Sequence, residues 1–256
     1  MVRALPTIVT IGLLGAFACG GASGRSAAPA TTAGTAKVDQ ATAGSIAGKI
    51  TIEGDVPPSA AIPMNSDPVC ASANKDGARA ETFVVDNGGL ENVFVYIKDD
   101  LGAKYSFETP KTPVRIEQKG CQYVPHVAGI RVGQPLEISN DDNTMHSVHG
   151  LGHSNQEFNF GQPLAGMKNT VSFTTSEVLL PVKCDVHPWM HALIGVVNHP
   201  FFAVSKDGGK FDLKDVPPGT YTVEAVHEKL GSQTQSVTIG PKESKEITFT
   251  FKTATS

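Results

Sequence analysis

Cys184, His187 and Met190 fall within one short stretch, Cys184-Asp185-Val186-His187-Pro188-Trp189-Met190, and His146 lies upstream just after a predicted strand. Together they offer a thiolate, two imidazoles and a thioether, the donor set of a mononuclear copper site for electron transfer. Cu(I) and Cu(II) prefer different geometries. Fast one-electron exchange therefore favours ligands that move little on oxidation: a thiolate and two imidazoles near one plane, with a long axial thioether. A tight loop between two strands can supply Cys184, His187 and Met190 at once, and the facing imidazole must then come from a neighbouring loop. Each residue also has a plainer reading. Cys184 could be a buried structural thiol and Met190 simple packing. His149, His153, His191 and His199 are surface or core histidines that could replace a named ligand. Cys121 with His126 lacks two further donors and reads as structural, as does His227.

The elements that must position these groups are strands. No segment sustains a helical apolar period, whereas alternation recurs at Ile46, Gly48, Ile50, Ile52; at Val93, Val95, Ile97; at Leu136, Ile138; at Val171, Phe173; and at Ile247, Phe249, Phe251. Turn signals at Gly89, Gly133, Asp207-Gly208-Gly209 and Pro217-Pro218-Gly219 separate the runs. The fold class is an all-β sandwich.

At the ligand loop the sequence resembles the cupredoxins, most of all the amicyanin type. That type has C-x2-H-x2-M, matched by Cys184, His187 and Met190, and N-x5-H-x2-H, matched by Asn140, His146 and His149. Tyr123-Val124-Pro125, Ile130, Val132, Gly133 and Leu136 fit that family's first strands. The resemblance implies a Greek-key sandwich over 113–198. It makes His146, Cys184, His187 and Met190 ligands of one type 1 copper. Asn140 would stand behind them, hydrogen-bonding the ligand loop and keeping the two loops in register. Trp189 and Pro188 would either join an apolar patch through which the His187 edge emerges, or belong to the core.

Either side of that span, GSIAGKITIEG with LENVFVYIKDD, and FFAVSKDGGKFDLKDVPPGTYTVEAVHEKL with EITFTF, resemble the carboxypeptidase regulatory-like (transthyretin-like) sandwich. Two organisations follow. In the first, residues 44–112 and 199–254 form one host sandwich with the cupredoxin inserted in a loop, since surface loops tolerate insertions whose ends lie close together. In the second, three modules follow one another, which leaves 44–112 a marginally short unit.

Composition bounds the rest. The chain has 256 residues, 40% hydrophobic and 18% charged with 26 Gly and 17 Pro, which suits one or two turn-rich domains. A net charge of −4 gives no basic footprint and argues against nucleic acid. Residues 1–19 carry Arg3 and an apolar run from Ile8 to Ala18, too short for a durable membrane span, and read as a secretory signal. Leu14 to Cys19 resembles a lipoprotein cleavage site, which makes Cys19 the lipidation candidate and anchors the chain to a membrane; ordinary cleavage is the alternative. Residues 20–43 are small and polar and read as a flexible tether. With Cys19 lipidated and Cys184 on the metal, Cys70 and Cys121 are free to form a disulfide in an oxidising compartment, or else stand as buried thiols.

The expectation is an exported type 1 copper protein, periplasmic or anchored at the outer membrane. It would carry single electrons between redox proteins such as a cytochrome or dehydrogenase, and it is not an enzyme. A copper oxidase or reductase would want paired His-x-His or His-Cys-His strings, which the sequence lacks. The alternatives are a non-catalytic binding or adhesion module and a copper-storage protein.

Overall fold

The computed structural model describes residues 34–253, so the 1–19 leader, Cys19 and most of the 20–43 tether lie outside the described residues. Among the described residues, no helix is long and apolar enough to cross a membrane. The chain is all-β. Its first part holds β1 (Gly44–Glu53), β2 (Ala61–Ile62), α1 (Pro68–Ala73), β3 (Ala78–Arg79), β4 (Val85–Asp86), β5 (Gly89–Leu90), β6 (Phe94–Ile97) and α2 (Leu101–Lys104). The middle holds β7 (Val114–Lys119), β8 (Gln122–Val124), β9 (Val127–Arg131), β10 (Leu136–Asn140), β11 (His146–Gly150), β12 (Phe158–Gln162), β13 (Lys168–Val171), β14 (Glu177–Lys183) and β15 (His191–Val197). The last part holds β16 (Phe202–Val204), β17 (Lys210–Val216), β18 (Gly219–His227), β19 (Gly231–Ile239) and β20 (Ser244–Lys252).

Strands from the two ends of the chain share sheets. β1 lies between β17, antiparallel with Ile46 opposite Leu213, and β20, parallel with Ile50 opposite Phe249. β6 lies between β16 and β18, both antiparallel, with Tyr96 opposite Phe202 on one side and Glu224 on the other. These two sheets enclose a core of Ile46, Ile50, Val95, Val223, Ala225, Phe249 and Phe251, which is what the period-2 alternation of each strand requires when one face is buried.

The middle strands build a separate sandwich from the sheets β13-β10-β7-β8 and β12-β11-β14-β15-β9. Ile116, Ile130, Ile138, Val148, Phe173, Leu180, Val182 and Ile194 fill it. A third cluster, Phe94, Tyr96, Val127, Leu193 and Val197, packs β6 against β9 and β15 and joins the two sandwiches. Gly195 makes that approach feasible: a Cβ there would lie 2.4 Å from the Phe94 ring.

The stretch 44–112, which the sequence assigns whole to the host, divides. β1, β5 and β6 stay in the host sheets, whereas Ile62, Met64, Cys70 and Ala78 pack into the core of the middle sandwich. A disulfide from Cys70 in α1 to Cys121, with Cα atoms 5.5 Å apart, fastens the stretch there. The apolar residues of 55–82 show no clean period, so the sandwich they join was not readable from them.

Candidate metal centre

β11 and β14 are antiparallel neighbours, with His149 opposite Lys183, so His146 at the start of one and Cys184 just past the end of the other reach the same end of the sheet. The 184–190 loop closes on itself: Cys184 N–H donates to the Met190 carbonyl (3.1 Å) and Met190 N–H to the His187 carbonyl (2.9 Å). Ser147 ties the two loops together. Its hydroxyl accepts from Asp185 N–H (2.7 Å) and its own N–H donates to Cys184 Sγ (3.3 Å). Tyr123 braces both strands, its hydroxyl donating to the carbonyls of Ser147 (2.7 Å) and Lys183 (3.2 Å).

The result is a convergence of donors. Nδ1 of His146 and Nδ1 of His187 lie 3.0 Å apart, and Cys184 Sγ lies 4.0 Å from the latter. His146, Cys184, His187 and Met190 are all buried, and Cys184 is the free cysteine among the described residues. The opposite ring atoms are engaged by carboxylates. His146 Nε2–H donates to Asp142 Oδ2 (3.1 Å) and His187 Nε2–H to Asp67 Oδ2 (3.0 Å). A carboxylate can only accept, so each ring carries its proton on Nε2 and turns the Nδ1 lone pair inward. Two lone pairs facing each other beside a sulfur call for a cation, either a proton or a metal ion.

The electrostatics agree. Burial pushes the Cys184 thiol up, but the His146 ring and the N–H groups of Ser147, His187 and Val186 outweigh it and bring the pKa down to about 6. A thiolate at neutral pH is the metal-binding form. For His146, burial disfavours the charged ring, but its hydrogen bond to Asp142 and the nearby Cys184 hold its pKa up at about 9. The Thr144 hydroxyl above all, with His187 and the N–H groups of Val69 and Cys70, keeps Asp67 at about 2 against the opposing effect of burial. Asp142 is also held below the usual carboxylate range: burial raises it, and His146 with the Cys121 and Gly120 N–H groups more than offsets that.

Two expectations change. Asn140 does not reach the 184–190 loop: its amide donates to the carbonyls of Thr144 (2.9 Å) and Gln162 (2.8 Å) and its Oδ1 accepts from Asp142 N–H (2.9 Å). It shapes the turn that carries Asp142, and the register between loops falls to Ser147. The His187 edge does not emerge through a patch. The residue is 3% exposed, covered by Asp67 and by Cys70 Sγ at 3.7 Å from Nε2. Trp189 is half-buried, stacks obliquely on His187 with ring centroids 5.0 Å apart, and donates to the Cys121 carbonyl (3.0 Å).

The other histidines lie elsewhere. His149 pairs with Asp185 and Glu157, His199 and His227 donate to the Ile97 and Thr82 carbonyls, and His126 and His191 face Glu228. Among the described residues, His153 has only its backbone N–H engaged, by Glu177. Sequence reasoning passed over Asp142, although a carboxylate at i, i+4 from His146 is a signal for a residue that orients a histidine. Asp67 gave none, because it reaches the centre only through the fold of another segment.

No family model matches the chain, and no curated relative matches it. Solved structures similar to part of it include a Cu-containing nitrite reductase from Thermus scotoductus SA-01 (22% identity over 36% of this chain, TM-score 0.29). Others are the Cu(I) form of a Met-to-Ala mutant of amicyanin (18% identity over 40% of this chain and 97% of that one, TM-score 0.30) and a purple cupredoxin from Nitrosopumilus maritimus (22% over 32% and 98%, TM-score 0.28). The match spans 24% of the nitrite reductase.

Proposed function

We propose that this chain is an exported type 1 copper protein that carries single electrons between redox partners. The observation that supports it is the inward-facing pair of Nδ1 atoms, 3.0 Å apart, beside the buried free thiol of Cys184. The donor set fits copper: one soft thiolate and two imidazoles, with Met190 closing the loop on the buried side. Bound copper would supply a one-electron couple. The chain's residues supply the rest. Asp67 and Asp142 fix both rings in the coordinating tautomer, Ser147 and the loop N–H groups steady the sulfur, and the packed end of the sandwich excludes water. The other donor groupings at this end among the described residues, Asp67-Cys70-His187 and Cys121-Asp142-His146, each rely on a sulfur already committed to the disulfide.

The reading carries no bond chemistry and so no catalysis. Its partner is another redox protein, of the cytochrome or dehydrogenase kind, and that partner approaches the His187 edge across the 67–74 segment. Export and a lipid anchor at Cys19 belong to the same proposal and suit a carrier held on a tether. Adding Cu(II) to the purified chain should give intense absorption near about 600 nm from a Cu(II)–thiolate transition. Cys184→Ser should abolish it. A colourless wild type, or a variant as coloured as the wild type, overturns the assignment. Ready loss of the copper to a chelator would favour storage over electron transfer.

A further inference from the structure

A second convergence of donors lies at the junction of the two sandwiches. His126, in the turn between β8 and β9, and His191, the first residue of β15, come from the middle sandwich; Glu228, just past β18, comes from the host. His126 Nε2 is 2.7 Å from Glu228 Oε1 and His191 Nε2 is 3.8 Å from Glu228 Oε2. The rings meet edge to face with centroids 4.9 Å apart.

An ion pair accounts for His126 and Glu228 at 2.7 Å; the second ring stands further off, its Nε2 3.8 Å from the other carboxylate oxygen. His126 Nδ1–H donates to the His191 carbonyl (3.3 Å) and His191 Nδ1–H to the Trp189 carbonyl (3.2 Å). Both Nδ1 atoms donate to backbone carbonyls and both Nε2 atoms face the same carboxylate; without an ion the 2.7 Å contact needs a proton on His126 Nε2, and a divalent ion would take that proton's place. Ligand atoms bonded at about 2.0–2.2 Å around a tetrahedral ion lie roughly 3.3 Å apart, and the two distances seen straddle that value. His126 and Glu228 are largely buried, whereas the His191 side chain is 40% exposed and borders a cleft also lined by Glu81 and Gln122, which gives an ion a way in.

We propose that His126, His191 and Glu228 bind a divalent ion of the zinc type, which cross-links the two sandwiches. Two imidazoles and a carboxylate with no sulfur suit Zn2+, with water in the remaining position. The site is independent of the His146-Cys184-His187 centre: it shares no ligand with it. Because His191 follows Met190 directly, an ion here also fixes the end of the loop that closes that centre.

The test uses the full chain carrying Cys184→Ala, which breaks the other centre, dialysed against zinc and assayed by elemental analysis. One equivalent of zinc is expected. Adding Glu228→Gln, or His191→Asn, should weaken uptake at least about tenfold. His191 is half-exposed, so its replacement leaves the packing in place, and circular dichroism checks that each variant is folded. Saturating zinc should also raise the melting temperature of the Cys184→Ala protein and not that of the Glu228→Gln double variant. No uptake from micromolar zinc, or uptake that neither added substitution weakens, overturns the site. That failure is separate from failure of the copper reading, which is read from the colour of the Cys184-bearing protein.

Discussion

Asp67 does more for the candidate metal centre than its place in the sequence suggests. One carboxylate oxygen caps α1 by accepting from Val69 N–H (2.7 Å) and Cys70 N–H (3.3 Å), and the other accepts from Thr144 Oγ (2.7 Å) and His187 Nε2–H (3.0 Å). Asp67→Asn keeps the cap but can place an amide N–H opposite His187. The ring must then move its proton to Nδ1, the atom that faces the metal, or lose the hydrogen bond. Copper affinity should fall about 10–100-fold, as measured by competition with a chelator. An unchanged affinity would show that the carboxylate only caps the helix. The candidate donors His146, Cys184, His187 and Met190 were legible from their types and spacing because soft and borderline donors are rare and their chemistry is specific. The carboxylates behind them were not, since Asp and Glu are common and only contact tells an orienting carboxylate from a solvated one.

At the scale of elements, the disulfide decides where α1 sits. It closes a loop over a sequence separation of 51, which in the chain-entropy account is worth about 4 kcal/mol. Asn74 adds local support, its amide donating to the carbonyls of Cys70 (2.9 Å) and Gly120 (2.9 Å). Replacing Cys70 and Cys121 together by serine should lower the unfolding free energy by about that amount in urea titrations, and should open His187 to solvent. If the double variant were as stable as the wild type, α1 would be held by packing and hydrogen bonds alone. The strands themselves were readable, because alternation such as Ile247, Phe249, Phe251 follows directly from one buried face. α1 was not: it is six residues long and held by a covalent bond and a cap rather than by an apolar stripe.

Across the whole molecule, the chain returns from the middle sandwich to the host through His199, between β15 and β16. The residue is 2% exposed; its Nε2–H donates to the Ile97 carbonyl (2.8 Å) and its Nδ1 accepts from Phe201 N–H (3.2 Å). Burial pushes its pKa down to about 4, partly opposed by the hydrogen bond to Ile97 and reinforced by the nearby Arg131 charge. The unfolded chain therefore binds a proton, at the ordinary value of 6.5, that the folded chain refuses until about 4. Its contribution is complete above the unfolded value and is lost as pH falls through that window. Stability should drop by about 2 kcal/mol from roughly pH 7 to pH 5 on account of this residue. His199→Gln should remove that part of the slope in urea titrations at the two pH values. An unaltered slope would mean that His199 is protonated within the fold.

The sequence by itself determined the strand pattern, the all-β class and the candidate donors at His146, Cys184, His187 and Met190. Periodicity and donor type are properties of residues near one another along the chain, so they survive without coordinates. Only the tertiary structure decided that 55–82 lies over the candidate metal centre, that Asp67 covers the His187 edge, and that Glu228 meets His126 and His191. Those contacts join residues of different segments, where desolvation and hydrogen bonding act between groups that no local pattern relates.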